Sequence, residues 1–194
     1  MSDITNDFEK IFHQITTKKF LSMQALGGEE PFFIYSYEPQ YQNTINKEIK
    51  RLKKRIKEKG LSYLSINLYD LSIELLKERR LLEKILLKEK VMPKYKLLQT
   101  LQNVLDTETK IIPKIKKLIQ ENKTDMLFLE GIGEVYPFIR SHTVINNLQK
   151  IVQDRPTLMF FPGVYDGYKL VLFGKIFDDN HYRAFNIIKY SFGE

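Results

Sequence analysis

Three short apolar runs, at residues 32–35, 126–129 and 157–161, and an alternating stretch at 61–67 are separated by segments in which apolar residues recur at helical spacing. Runs of that length suit buried strands, and a strand that returns parallel to its neighbour needs a crossover, usually a helix. The chain is therefore expected to be α/β, an open, mostly parallel sheet with helices on both faces. Residues 170–173 and 183–188 supply two further short strands. With 194 residues the chain can bury a substantial core, and one α/β domain over residues 1–194 is the expectation.

The helical stretches have readable ends. Phe8, Ile11, Phe12 and Ile15 open the chain with an amphipathic helix that Gly27, Gly28 and Pro31 break. Glu38-Pro39 begins the next, since proline is tolerated in a first turn. Ile45, Ile49, Leu52 and Ile56 give that helix one narrow apolar stripe, and Gly60 stops it. A helical insertion then occupies residues 70–122, far more than a single crossover requires. Asp70 is its expected N-cap, and one helix is read through Leu75, Leu76, Leu82 and Leu86. Pro93 interrupts the pattern, and residues 107–120 form a last helix with Pro113 as a point of bending. Residues 142–152 read as a further helix.

The net charge of +7 is concentrated in the middle of the chain. Residues 45–123 carry 21 basic and 10 acidic side chains, against 3 and 6 in residues 1–44 and 7 and 8 in residues 124–194. Such asymmetry suits an anionic partner, and Lys50, Arg51, Lys54 and Arg55 are the candidate contacts if that partner is nucleic acid. No aromatic residues interleave with residues 47–59 as base-stacking platforms would require. A docked helix with a solvated lysine face is the simpler account.

Several chemistries are excluded. There is no cysteine, which removes thiolate nucleophiles, disulfides and cysteine-based zinc sites. No apolar run has the length of a membrane span, and residues 1–7 lack a basic start followed by an apolar stretch, so the cytoplasm is the expected compartment. A strand ending in Glu130 invites comparison with nucleotide-binding sheets. However, the turn after the first strand reads Ser36-Tyr37-Glu38-Pro39-Gln40, without the glycines, lysine and magnesium-binding hydroxyl of a phosphate loop. A degenerate P-loop-like scaffold lacking that loop is compatible with the pattern, an active ATPase is not, and no cofactor is expected. Gly131-x-Gly133 has Tyr136 in place of a third glycine and reads as a tight turn. His142, His181, Asp178 and Asp179 could in principle meet at the expected sheet edge as metal ligands, but no pair is at helical metal spacing, and no metal site is expected.

The C-terminal third is denser in signals. It holds Gly131-Ile-Gly133-Glu134-Val-Tyr136-Pro137-Phe138-Ile-Arg140-Ser-His142, then Phe160-Phe161-Pro162-Gly163-Val-Tyr165-Asp166-Gly167, then Leu172-Phe173-Gly174, then Asp178-Asp179-Asn180-His181-Tyr182-Arg183-Ala184-Phe185. These blocks, in this order over roughly residues 124–187, resemble the BrxB family of bacterial BREX phage-defence systems. Upstream the chain is similar to that family only in length and general pattern. The resemblance implies a small component without enzymatic activity, encoded beside an ATPase, a DNA methyltransferase and an alkaline-phosphatase-like PglZ protein. Its implied role is assembly, holding the PglZ-like protein and other members together, with DNA contact within the complex left open.

The resemblance assigns no role to single residues; chemistry does that. Tyr and Arg dominate interface hot spots because they combine apolar area with polar tips. Loops 131–142 and 162–168 each follow an expected strand directly, so both should emerge at the carboxyl edge of the sheet. Glu134, Tyr136, Arg140, Tyr165 and Asp166 are accordingly the candidate partner-binding patch. The structural alternative makes Arg140 an internal ion-pair partner of Glu130 or Glu134. Two other functions stay open: a nucleic-acid-binding module using segment 45–123, and a metal-dependent hydrolase using His142, His181 and Asp178.

Overall fold

A computed structural model of the chain describes residues 3–23, 31–177 and 180–190. Among these residues seven strands form one sheet: β1 Phe32–Tyr37, β2 Tyr63–Asn67, β3 Met126–Glu130, β4 Thr157–Tyr165, β5 Leu170–Leu172, β6 Ile176–Phe177 and β7 Phe185–Asn186. Five of them run in the order β2-β3-β4-β1-β7, all pairs parallel, while β5 and β6 extend the distal half of β4 as an antiparallel meander. Among the described residues eight α-helices surround the sheet: α1 Ile4–Ile15, α2 Lys18–Leu21, α3 Gln42–Glu58, α4 Leu68–Glu78, α5 Leu82–Glu89, α6 Lys94–Val104, α7 Ile112–Glu121 and α8 Ser141–Ile151. The expected open, mostly parallel α/β sheet is present.

Strand alternation divides the core into two layers. Phe33, Tyr35, Met126, Phe128, Leu158 and Phe160 point to the face covered by α1 and α3. Phe32, Ile34, Leu127, Leu129, Met159 and Phe161 point to the other, where α4, α7 and α8 pack. Residues 32–35, 126–129 and 157–161 are buried on both faces, which explains their unbroken apolar sequence.

Several local expectations are corrected. Asn67, not Asp70, caps α4, accepting from the backbone N–H of Tyr69 at 2.9 Å and of Asp70 at 3.2 Å. The helix read through Leu86 is two helices. Arg80 turns the chain with a φ of 57°, and the Leu81 and Arg80 N–H groups close onto the Leu76 and Lys77 carbonyls at 2.8 and 2.9 Å. That closure ends α4 as a glycine would, with arginine carrying the left-handed residue. Pro113 bends nothing; it lies in the first turn of α7, preceded by a π-type turn over Thr107–Ile111 that Asp106 caps. The last β4 residues, 162–165, are strand rather than loop. The Gly27–Gly28 break and the Asp178–Asp179 turn lie outside the described residues.

Candidate partner-binding site

The carboxyl end of β1 carries no glycine-rich phosphate loop. Tyr37 is buried, its hydroxyl 2.8 Å from Gln42 Oε1, and a 3-10 turn over Pro39–Tyr41 follows where a phosphate loop would lie. The neighbouring β3 ends in Glu130, which binds Lys53 Nζ at 2.5 Å and accepts from the Ser65 hydroxyl. Burial first, then the Asp70 and Glu130 charges, pushes the Glu134 carboxyl above its ordinary value. Glu134 and Asp70 thus stand close to a Glu130 that Lys53 neutralises.

The loop after β3 is shaped by its glycines. Gly131 has a φ of +75°, and a Cβ there would stand 2.4 Å from Asn67 Oδ1, the atom that caps α4. At Gly133 a Cβ would meet Pro162 Cγ at 2.8 Å and the Phe173 ring at 2.9 Å. The turn thus fits between α4 and the distal part of β4, as a tight turn and not as a nucleotide fingerprint. Val135 and Ile139 drop into the core, while Phe138 stays half-buried. A cis Tyr136–Pro137 peptide lies between them.

That folding leaves Tyr136 and Arg140 outside. Tyr136 is 38% exposed and meets Phe173 edge to face, with ring centroids 6.3 Å apart. Arg140 is exposed at the residue before α8 and forms no ion pair with any described residue, so the internal pairing with Glu130 or Glu134 is not formed. Both line a cleft of about 580 Å³ between α6, the 136–142 loop and the β5–β6 meander. Its wall also includes Gln102, His142 and the 79%-exposed Phe177.

The other three patch residues are placed differently. Glu134 lines a groove on the β2 side of the loop. Tyr165 is 4% exposed; its hydroxyl donates to the Ala184 carbonyl at 2.7 Å, with the Gly167 carbonyl 2.9 Å away, and burial pushes its phenol up to about 12. It is therefore an internal tie between the β4–β5 hairpin and β7, because 165 falls on the inward side of a strand and not in a loop. Asp166 shapes that hairpin, its carboxylate accepting from the Tyr168 and Lys169 N–H groups at 2.8 and 2.7 Å, and those bonds hold its pKa low. Of the five, Tyr136 and Arg140 line the cleft together. Phe177 was missed in the sequence because the dipeptide Ile176-Phe177 reads as core; only the short meander turns it outward.

The basic candidates also divide. Ile45, Ile49, Leu52 and Ile56 bury one stripe of α3, as their spacing predicts. Arg55 belongs to the fold: it forks onto Glu9 at 2.5 and 2.9 Å and lies 3.9 Å above the Phe12 ring centroid. Arg51 bonds to Glu48 but stays 71% exposed, Lys54 is 80% exposed 3.8 Å from Glu58, and Lys50 is exposed. Among the described residues no three His, Asp or Glu side chains gather as a metal site; Asp178, which the hydrolase alternative uses, is outside them. No helix among the described residues is long and apolar enough to cross a membrane.

The class is thereby an open, mostly parallel α/β sheet protein with an aromatic–arginine cleft at its loops. Comparison with known proteins names the family. A model described as "BREX protein BrxB" matches residues 64–187. A "BREX protein BrxB" of Bacillus cereus is 37% identical over 97% of this chain and 99% of its own length. Another, of Escherichia coli, is 30% identical over 92% of this chain and 88% of its own. The chain belongs to the BrxB family. The likeness extends well upstream of residue 124, where the sequence blocks begin to be recognisable. No solved structure matches it.

Proposed function

We propose that this chain is a non-catalytic assembly component of a BREX phage-defence system, and that its 136–142 cleft receives an acidic segment of a partner protein. One observation carries the reading: Arg140 projects, without a carboxylate partner among the described residues, into a cleft bordered by exposed Tyr136 and Phe177. A guanidinium flanked by aromatic rings is the arrangement that anchors a carboxylate while apolar area is buried around it. The partner that the family context favours is the PglZ-like protein, with the ATPase and methyltransferase as further members of the assembly. The test is co-purification of that protein with wild type, Arg140→Glu and Tyr136→Ala. Both variants are expected to melt like wild type and to lose most of the captured partner. Capture at wild-type levels by both would place docking elsewhere. ATP or phosphoester hydrolysis by the purified chain, abolished by Glu130→Gln, would overturn the non-catalytic part.

A second reading has its own support. Lys50, Arg51 and Lys54 remain in solvent on one docked helix, a surface that binds phosphates without reading bases. It predicts DNA binding that weakens steeply with salt and is lost in a Lys50→Glu, Arg51→Glu, Lys54→Glu variant. Arg55 is left out of that variant because its reversal would break its contacts with Glu9 and Phe12.

A further inference from the structure

The outer edge of the sheet is open at β2. Its sole strand partner among the described residues is β3, and it carries no proline and no bulge in its five-residue register. Leu127 N–H bonds to the Pro156 carbonyl toward β4, so the even-numbered β3 residues are those that face β2. Alternation along the paired strand then turns the main-chain groups of Leu64 and Ile66 to β3 and those of Tyr63, Ser65 and Asn67 outward. Open edges of this kind are templates for another strand unless something guards them.

The edge forms the floor of a groove of about 490 Å³, with Asn46, Lys50 and Lys53 of α3 on one wall and Asp70, Leu71 and Glu74 of α4 on the other. The basic wall follows the strand. Lys57 lies 5.5 Å from the Tyr63 ring, Lys53 binds Glu130 beside Asn67, and Lys50 continues the same helical stripe. Lys57 and Lys53 thus stand near the two ends of β2, at Tyr63 and beside Asn67, on the face that same-face side chains of an added strand would share. On the opposite face, Leu64, Ile66, Leu71 and Leu118 offer apolar contact.

We propose that β2 is a site of strand addition for an extended peptide of a partner protein, with acidic side chains on the face toward α3 and apolar ones on the face toward α4. Main-chain bonds from Tyr63, Ser65 and Asn67 supply affinity, and the lysine stripe selects sequence. Charge excludes a second copy as the occupant. Antiparallel pairing of two β2 edges about a two-fold axis normal to the sheet would set α3 against α3, and that helix carries seven basic and two acidic residues. The lysines that keep copies of this chain apart admit an acidic strand.

The probe is a blocked peptide of alternating Glu and Val, slightly longer than the five residues of β2, titrated into the full chain and followed by backbone amide NMR. Controls replace Glu by Lys, or N-methylate alternate backbone amides. Saturable shifts at residues 63–67 are expected with the acidic peptide alone, weakening as salt is raised. Lys50→Glu should reduce affinity at least tenfold. Ser65→Pro should abolish binding while leaving the ladder to β3, because that N–H faces outward; thermal melting separates this loss from unfolding. Absence of shifts at 63–67, equal binding of the Lys peptide, or a dimer in sedimentation protected at 63–67 would each overturn the proposal. The readout is independent of the 136–142 cleft, so either surface can fail alone.

Discussion

At the scale of single residues, burial separates what looks alike in sequence. Tyr136 and Tyr165 both close a glycine-containing block, yet one is exposed at the cleft and the other is tied to backbone carbonyls. Tyr165→Phe should cost about 1–2 kcal/mol, because the Ala184 carbonyl loses its donor in a buried position. In a chain of this size that lowers the melting temperature by about 2–4 °C per kcal/mol, measurable by calorimetry, with partner capture unchanged. Glu134 makes a prediction in pH. Its folded-state pKa is raised by burial and by Asp70 and Glu130, from an ordinary value of 4.5. The associated stability is complete below that ordinary value and lost as pH rises through the raised one. Glu134→Gln should therefore melt higher than wild type at neutral pH, and the gain should shrink as the pH is taken to 4. An equal gain at both ends would contradict the assigned cause.

At the scale of elements, the sequence was most legible where one physical demand dominated. Fully buried parallel strands need continuous apolar runs, and residues 126–129 and 157–161 are such runs. The stripe Ile45, Ile49, Leu52, Ile56 is equally plain because α3 packs on one side only. What stayed hidden depended on tertiary geometry. The end of α4 rests on Arg80 in a left-handed conformation, which no composition rule announces. The continuation of β4 past Pro162 was read as loop because proline and glycine usually end a strand. Here Pro162 ends its parallel pairing with β1 opposite Tyr37, and Gly163 opens room for the β5 backbone. A Cβ at 163 would lie 2.1 Å from the Val171 carbonyl oxygen, so Gly163→Ala should destabilise by about 1–3 kcal/mol. The meander carries Leu170, Leu172, Ile176 and Phe177 of the cleft wall, so the same substitution should also weaken partner capture. Urea denaturation and capture assays on one preparation would check both. Of the candidate site, Tyr136 and Arg140 were readable because glycine and proline flank a loop that must leave a strand end; Tyr165 was not, since its direction follows from a strand extension that the sequence disguised.

At the scale of the molecule, charge and shape are allocated to different borders. The carboxyl edge presents aromatic rings and an arginine, while α3 lays a lysine stripe along the open strand. Under the reading proposed above, a chain with Tyr37 buried at the end of β1 and Glu130 and Glu134 close to it is not expected to bind nucleotide. Addition of ATP and magnesium should accordingly leave its melting temperature unchanged, a result that thermal shift can check, since any ligand favouring the native state would raise it. The central claim, that partners dock through the 136–142 cleft, is tested most directly by hydrogen exchange on the full chain with and without the PglZ-like protein. Slowed exchange within residues 134–142 and 170–177 in the complex, removed by Arg140→Glu, is the predicted result. A complex that forms with those segments exchanging as in the free chain, and with protection confined to α3, would contradict it.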